Sequence, residues 1–303
     1  MNCMRQLLYL LKQYGRLCKI KVSFFNALAA TAGCLLAPAP TSGNLTVAAL
    51  GVFLLACAGS ALNQYQEREI DCLMERTRHR PLPAGRIKPS PALIFALVLA
   101  VLALAILACF GNLRALLLGL FAVLCYNFLY TYLKTKTAFA LIPGALVGTI
   151  PPAVGWTIGG GGLADPRLWA LGLLFFLWQV PHFWLLMLDR RREYEQAGLP
   201  TLSTLFKERV LRRICFHWIV ALAVASLCVS LYGLAEAPLI QGALLAAAVW
   251  ITWEGRRLLT GNGGAAAVRL FRAINAYMVV VVLGVVLDGV FVLYFSSFSS
   301  FFT

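Results

Sequence analysis

Asn63, Glu67 and Asp71 stand four residues apart in NQYQEREIDCLMERTRHRPL, residues 63–82. On a continued helix, an i, i+4, i+8 spacing projects all three side chains from one face. An amide and two carboxylates stacked this way offer oxygen ligands to a hard divalent cation, as Mg²⁺ bound to a diphosphate requires. Arg68, Arg76, Arg78 and Arg80 surround them with guanidinium forks suited to phosphate oxygens. A second acidic pair, Asp189 and Glu193, again has helical spacing, after WQVPHFWLLML. Two acidic faces on one side of a helical bundle suggest a cation-bridged polyanion held between them. The competing reading is structural: basic loops at a membrane surface, with local Glu–Arg pairs that stabilise little.

The elements that must position these residues are apolar helices. The 303 residues are 61% hydrophobic and 13% charged, with mean hydropathy +0.81, a composition of polytopic membrane proteins. A net charge of +14 would suggest nucleic acid in a soluble chain. Here the basic residues lie in short loops between apolar spans, which excludes that reading in favour of membrane topology. Residues 1–21 read as a basic amphipathic segment on the membrane surface. Nine spans of roughly twenty residues follow, at 22–38, 45–66, 91–110, 113–133, 138–158, 167–188, 211–233, 237–254 and 273–295. The expected fold is all-α, a single nine-helix membrane domain over 1–303. Its active-site loops are 67–90 and 189–210.

Of the 26 lysines and arginines, all but Arg114 and Arg167 fall on one side of this alternation. The positive-inside rule then puts the N-terminus in the cytoplasm and the C-terminus outside. Eight of the twelve acids sit at the ends of helices 2 and 6, where topology does not ask for them, because acids contribute little to sorting. The nine cysteines are scattered singly without a CxxC pair, so buried inert thiols are expected rather than disulfides or zinc. A basic N-terminus without a small-residue cleavage site argues for a retained first helix.

The first acidic stretch with its AGRI extension resembles the first signature of the intramembrane prenyltransferases of the UbiA superfamily. WQVPHFWLLML and EYEQAGLP resemble the second loop of its branch that farnesylates haem B. YNFLYTYLKTKT (126–137) and IPPAVGW (150–156) lie between them in the same order as in that branch. The resemblance implies transfer of a farnesyl group from farnesyl diphosphate to a vinyl group of haem B, in the inner membrane. Asn63, Glu67, Asp71, Asp189 and Glu193 would hold Mg²⁺ and the diphosphate. Arg68, Arg76, Arg80, Lys134 and Lys136 would neutralise the leaving group, and Tyr126, Tyr130 and Trp178 would shield an allylic cation. His182 would bind haem iron, orient a propionate or move a proton. Haem A synthase and terminal oxidase assembly factors are the implied protein partners.

The chain departs from the family pattern in places. Glu67 and Glu193 replace Asp, Thr135 separates two lysines, Ala138 replaces Pro, Thr201 replaces Met, and Ile20 stands where Lys-Pro is usual. These changes leave open another acceptor, such as a quinone precursor. A non-catalytic transporter or haem-binding protein is the third reading, but it predicts acids at mid-membrane rather than at helix ends. Asp288, inside the last span, is read as a structural hydrogen-bonding group.

Overall fold

A computed structural model of the chain describes residues 2–260 and 263–299, and every regular element among them is helical. Helix α1 (Asn2–Leu17) exposes Leu7, Leu8, Leu10 and Leu11, as an interfacial helix does. Lys19 then turns the chain with φ 46°, a left-handed conformation uncommon for a side-chain-bearing residue, and α2 (Ile20–Leu35) begins. α3 (Ser42–Gln66) is followed at once by the short α4 (Arg68–Leu73), and α5 (Pro89–Cys109) by α6 (Leu113–Val123). α6 runs into a π-helical segment, Leu124–Tyr130, then α7 (Thr131–Leu133). The next rod consists of a 3₁₀ turn (Ala138–Ala140), α8 (Leu141–Val147) and α9 (Ile150–Ile158). α10 (Pro166–Asp189), α11 (Arg191–Gln196), α12 (Leu202–Leu205), α13 (Glu208–Leu231), α14 (Pro238–Thr260) and α15 (Gly263–Ser299) complete the order.

The nine expected spans map onto rods, but they are not equally suited to a bilayer. Seven described helical segments are long and apolar enough to cross one. Ile20–Leu35 has only 16 residues, short of the roughly twenty that a helix needs to span the hydrocarbon. Pro238–Thr260 carries Glu254, Arg256 and Arg257 near its end and does not count among the seven. Apolar side chains such as Leu97, Val98 and Val101 on α5 and Leu117 and Phe121 on α6 point outward. In a protein that lipid solvates this needs no partner, because hydrocarbon satisfies apolar surface as well as a core does.

Two packed clusters make the bundle. One joins α2, α3, α5, α6 and α9 through Ala30, Val52, Leu55, Leu107 and Val154. The other joins α10, α13, α14 and α15 through Leu174, Leu185, Ile219, Ile251 and Tyr277. Where α2 crosses α9 the backbones touch. A Cβ at Gly155 would collide with the Ala30 carbonyl oxygen, and one at Gly33 with that of Pro152. Small residues allow this close approach, which supplies dispersion contacts where no hydrophobic drive exists between helices.

Asp288 is 3% exposed and caps the start of α14, accepting from the backbone N–H of Glu236 at 2.7 Å and of Ala237 at 2.9 Å. That is the structural role expected for it, since an intramembrane carboxylate must find donors. The eight described cysteines named in the structure are all free thiols.

Candidate active site

The helix carrying the first acidic trio does not continue as expected. α3 ends at Gln66, and Glu67 leaves helical geometry with φ −93° and ψ 6° before α4 starts. The i to i−4 bonds survive across this break, from Glu67 N to Asn63 O and from Asp71 N to Glu67 O. All three side chains therefore still share one side, and all point inward. Asn63, Glu67 and Asp71 are 2%, 5% and 0% exposed, where a solvated helix end was the expectation. The correction follows from what packs over them. Lys19, Thr131 and Lys134 come from other elements and cover the trio.

Buried carboxylates need partners, and these have cations. Glu67 Oε1 accepts from Lys134 Nζ at 2.8 Å and from Asn63 Nδ2 at 2.8 Å. Asp71 Oδ2 accepts from Arg80 Nη1 at 2.6 Å. Lys19 Nζ donates to Asn63 Oδ1 at 3.1 Å, and Asn63 Nδ2 reaches Thr131 Oγ1 at 3.3 Å. Burial, then the Arg80 charge, push the Lys19 ammonium down to about 8, against the pull of Glu67. Burial would raise the Glu67 carboxyl, but Lys134, Lys19 and Asn63 together hold it below the usual carboxylate range. Lys19, Arg80 and Lys134 thus set three positive charges against two negative ones, leaving a site that attracts an anion.

The site also has room in its bonding for a cation. Asp71 Oδ1 is buried and has no hydrogen-bond partner, although Oδ2 on the same carboxylate is paired. Glu193 Oε2, on the second acidic segment, is likewise buried and bare. A buried anionic oxygen without a donor costs free energy unless something else binds it. A hard divalent ion bound by one or two carboxylates and by substrate phosphates fits these oxygens. No preassembled cluster of three or more metal-ligating acids, histidines or cysteines occurs among the described residues, which suits an ion that arrives with its anion.

The second acidic pair also sits at a helix break. α10 ends at Asp189, and α11 begins after Arg190. Arg190 joins the two acids, with Nε 3.1 Å from Asp189 Oδ2 and Nη1 3.1 Å from Glu193 Oε1. Tyr194 lies within electrostatic reach of Tyr130, as does Arg76, so this segment approaches the first.

Tyr126 and Tyr130 stack face to face, with ring centroids 5.7 Å apart and planes 8° apart. The π-helical segment makes this register. π turns frequently mark functional sites, and this one is held by polar bonds. Asn127 Nδ2 donates to Gly59 O at 3.0 Å, Gln66 Nε2 to Asn127 O at 3.0 Å, and Thr131 Oγ1 to Tyr126 O at 2.9 Å. Gly144 leaves space for the Tyr130 ring, whose Cδ2 would lie 2.8 Å from a Cβ there.

Other expected residues lie elsewhere. Arg68 turns away from the trio, donating to Tyr65 O and Glu69, with its guanidinium 4.9 Å from the Tyr65 ring. Lys136 is exposed, its ammonium 5.9 Å from the Tyr132 ring. Trp178 lies beside His182, ring centroids 4.9 Å apart, on α10. Sequence reasoning missed Lys19 and Thr131. Lys19 looked like one of five cations on a surface helix, and only the left-handed turn brings it inside.

Residues 26–279 match the model of the UbiA prenyltransferase family. The chain is 36% identical over 279 residues to the protoheme IX farnesyltransferase of Oleidesulfovibrio alaskensis, covering 92% of this chain and 97% of that one. It is 42% identical to the protoheme IX farnesyltransferase of Geobacter sulfurreducens over 71% of this chain and 79% of the relative. A structure of digeranylgeranylglyceryl phosphate synthase superposes with TM-score 0.76 at 18% identity, over 92% of this chain and 98% of the other. A UbiA homolog from Archaeoglobus fulgidus bound to GPP and Mg²⁺ superposes with TM-score 0.66 at 17% identity, over 90% and 99%. At these identities the structures speak for the fold alone.

Proposed function

The chain belongs to the UbiA prenyltransferase family, and from this we infer that it transfers the farnesyl group of farnesyl diphosphate to a vinyl group of haem B, forming haem O. It is an integral membrane enzyme. The observation that carries the site assignment is the buried, net-positive cluster around Glu67 and Asp71 with its bare Asp71 Oδ1.

In this reading Asn63, Glu67, Asp71, Asp189 and Glu193 hold Mg²⁺. When bound, the ion supplies charge stabilisation to the departing diphosphate. Lys19, Lys134 and Arg80 lie around the same acids and meet the negative charge as the allylic C–O bond breaks. Arg76 adds to that field from the loop. Arg68 and Lys136 act, if the diphosphate draws them in, by turning from their present partners. The stacked Tyr126 and Tyr130 present π faces to the allylic cation and exclude water that would quench it. The cation adds to the vinyl carbon, water captures the resulting charge on the acceptor, and one proton leaves. Trp178 and His182 form the acceptor side.

The cytoplasmic face of the inner membrane is where the charge distribution puts both acidic segments, with the N-terminus inside and the C-terminus outside. A product of this kind points to haem A synthase and terminal oxidase assembly factors as partners. The test is expression in a host lacking haem O synthase, followed by mass spectrometry of extracted haem. Hydroxyethylfarnesyl haem is the expected product. Its absence, with the protein present in the membrane and a quinone precursor prenylated instead, overturns the acceptor assignment.

A further inference from the structure

His182 is held by a single polar neighbour on a different helix. Its Nδ1 lies 2.8 Å from Asn275 Oδ1 on α15. Asn275 is itself oriented, because its Nδ2 donates to the Phe271 carbonyl oxygen at 2.7 Å. A carbonyl can only accept, so the amide nitrogen faces Phe271 and the amide oxygen faces His182. That oxygen can only accept as well. The proton of a neutral His182 therefore sits on Nδ1, and Nε2 carries the lone pair. The tautomer follows from the bonding rather than from a hydrogen position.

Nε2 has no hydrogen-bond partner among the described residues. Nor is it among the sealed, unpaired polar atoms of the interior, so it reaches accessible space. Aromatic rings flank the imidazole. Trp178, one turn earlier on α10, lies at 4.9 Å, Phe271 at 4.8 Å, and Phe183 edge-on at 5.4 Å. The same residue, Phe271, gives the carbonyl that orients Asn275 and a ring of this wall.

We infer that Asn275 is a positioning residue that fixes His182 as the Nδ1–H tautomer, so that Nε2 ligates the iron of the porphyrin acceptor. Metal-ligating histidines almost always donate their other N–H to an acceptor, which fixes ring orientation and raises basicity. Neutral imidazole is an iron ligand in many haem proteins, and a flat, apolar macrocycle suits a wall of aromatic rings. Ligation through one axial position anchors the macrocycle at its centre and leaves the peripheral vinyl groups free to meet the allylic cation. This inference rests on haem as the acceptor. A purely structural His182–Asn275 bond would tie α10 to α15 and do nothing to iron.

The experiment adds haem B to the purified full-length protein in detergent and reads the ferrous iron–histidine stretch by resonance Raman, alongside haem titration and product formation. The wild type shows the stretch, and His182→Ala loses it, with added imidazole restoring a five-coordinate histidine-like signal. Asn275→Asp, which keeps an acceptor and adds charge, raises the stretching frequency. Asn275→Leu lowers it and weakens haem binding 10- to 100-fold, the usual range for a lost outer partner. A helix tie alone would not move the frequency in opposite directions in two folded variants. A frequency unchanged in both variants overturns the inference, as does a wild type that makes haem O without any iron–histidine signal. The latter result leaves the farnesyl-transfer reading intact. A wild type that neither binds haem nor forms haem O overturns both.

Discussion

The Glu67–Lys134 pair allows stability and turnover to be separated. The two side chains are 6% and 18% exposed and meet at 2.8 Å. Removing one partner of a buried pair costs about 3–5 kcal/mol, because it strands the other charge. Lys134→Met falls at the lower end, about 3 kcal/mol, since Glu67 keeps the Asn63 amide at 2.8 Å and the nearby Lys19 charge. Glu67→Leu falls at the upper end, about 5 kcal/mol. It leaves Lys134 beside Lys19 and Arg80 and reduces Asn63 Nδ2 to its 3.3 Å contact with Thr131. The double variant removes both charges and costs less than the sum, by about 2–3 kcal/mol. Equilibrium unfolding of the purified proteins in mixed micelles measures the four corners of this cycle. Farnesyl transfer to haem B is assayed on the same samples. Stability recovers in the double variant, but turnover does not, because the site has lost a metal-facing carboxylate and a phosphate-facing amine. Additive losses, within about 0.5 kcal/mol, would refute the buried pair. Recovery of turnover would refute its role in the chemistry.

Three further outcomes follow. Gly144→Ala puts a methyl 2.8 Å from Tyr130 Cδ2, so the ring shifts by about 0.6 Å to restore contact. Turnover falls roughly tenfold, as small misplacements do, while the thermal midpoint barely moves. Asp288→Asn loses one of two charge-assisted bonds to the start of α14, which destabilises the fold by about 2 kcal/mol. Activity per folded molecule stays constant, and a kinetic defect would place Asp288 in the mechanism instead. Chelation of divalent cations stops turnover and Mg²⁺ restores it, with Asp71→Asn raising the half-saturating Mg²⁺ at least about tenfold. Full activity in chelator would remove the ion from the mechanism.

The spacing of Asn63, Glu67 and Asp71 made one site face legible, and the structure keeps it despite the break at Glu67. What spacing could not show was burial. Helix ends rich in charge normally face water, and these are covered by residues from three distant segments. Arg68 was read as a phosphate fork from its neighbourhood, but a helical residue next to Glu67 points about 100° away from it. Arg68 accordingly lies against Tyr65. Lys19 carries no local signal at all, because its inward turn depends on one backbone conformation. Asn275 could have been suspected, as a lone amide in the apolar span that follows Arg272, but its partner lies 93 residues away in sequence. The shorter span at Ile20–Leu35 shows the limit of hydropathy alone. Its packing comes from glycines that bring backbones together, a property that an apolarity scale does not weigh.

The π-helical segment at Leu124–Tyr130 carries a consequence for how this chain can change over generations. Each residue of a helix advances the facing direction by about 100°, and a wide turn absorbs one residue more than an ordinary one. Deleting a single residue there would relax the segment to an α-helix and rotate everything after it. Thr131 and Lys134 would leave Asn63 and Glu67 together. Substitutions along the lipid face of this rod are cheap, but its length is fixed. Among descendants of this sequence, insertions and deletions should be rare between Gly119 and Lys134, even where the amino acids themselves drift freely.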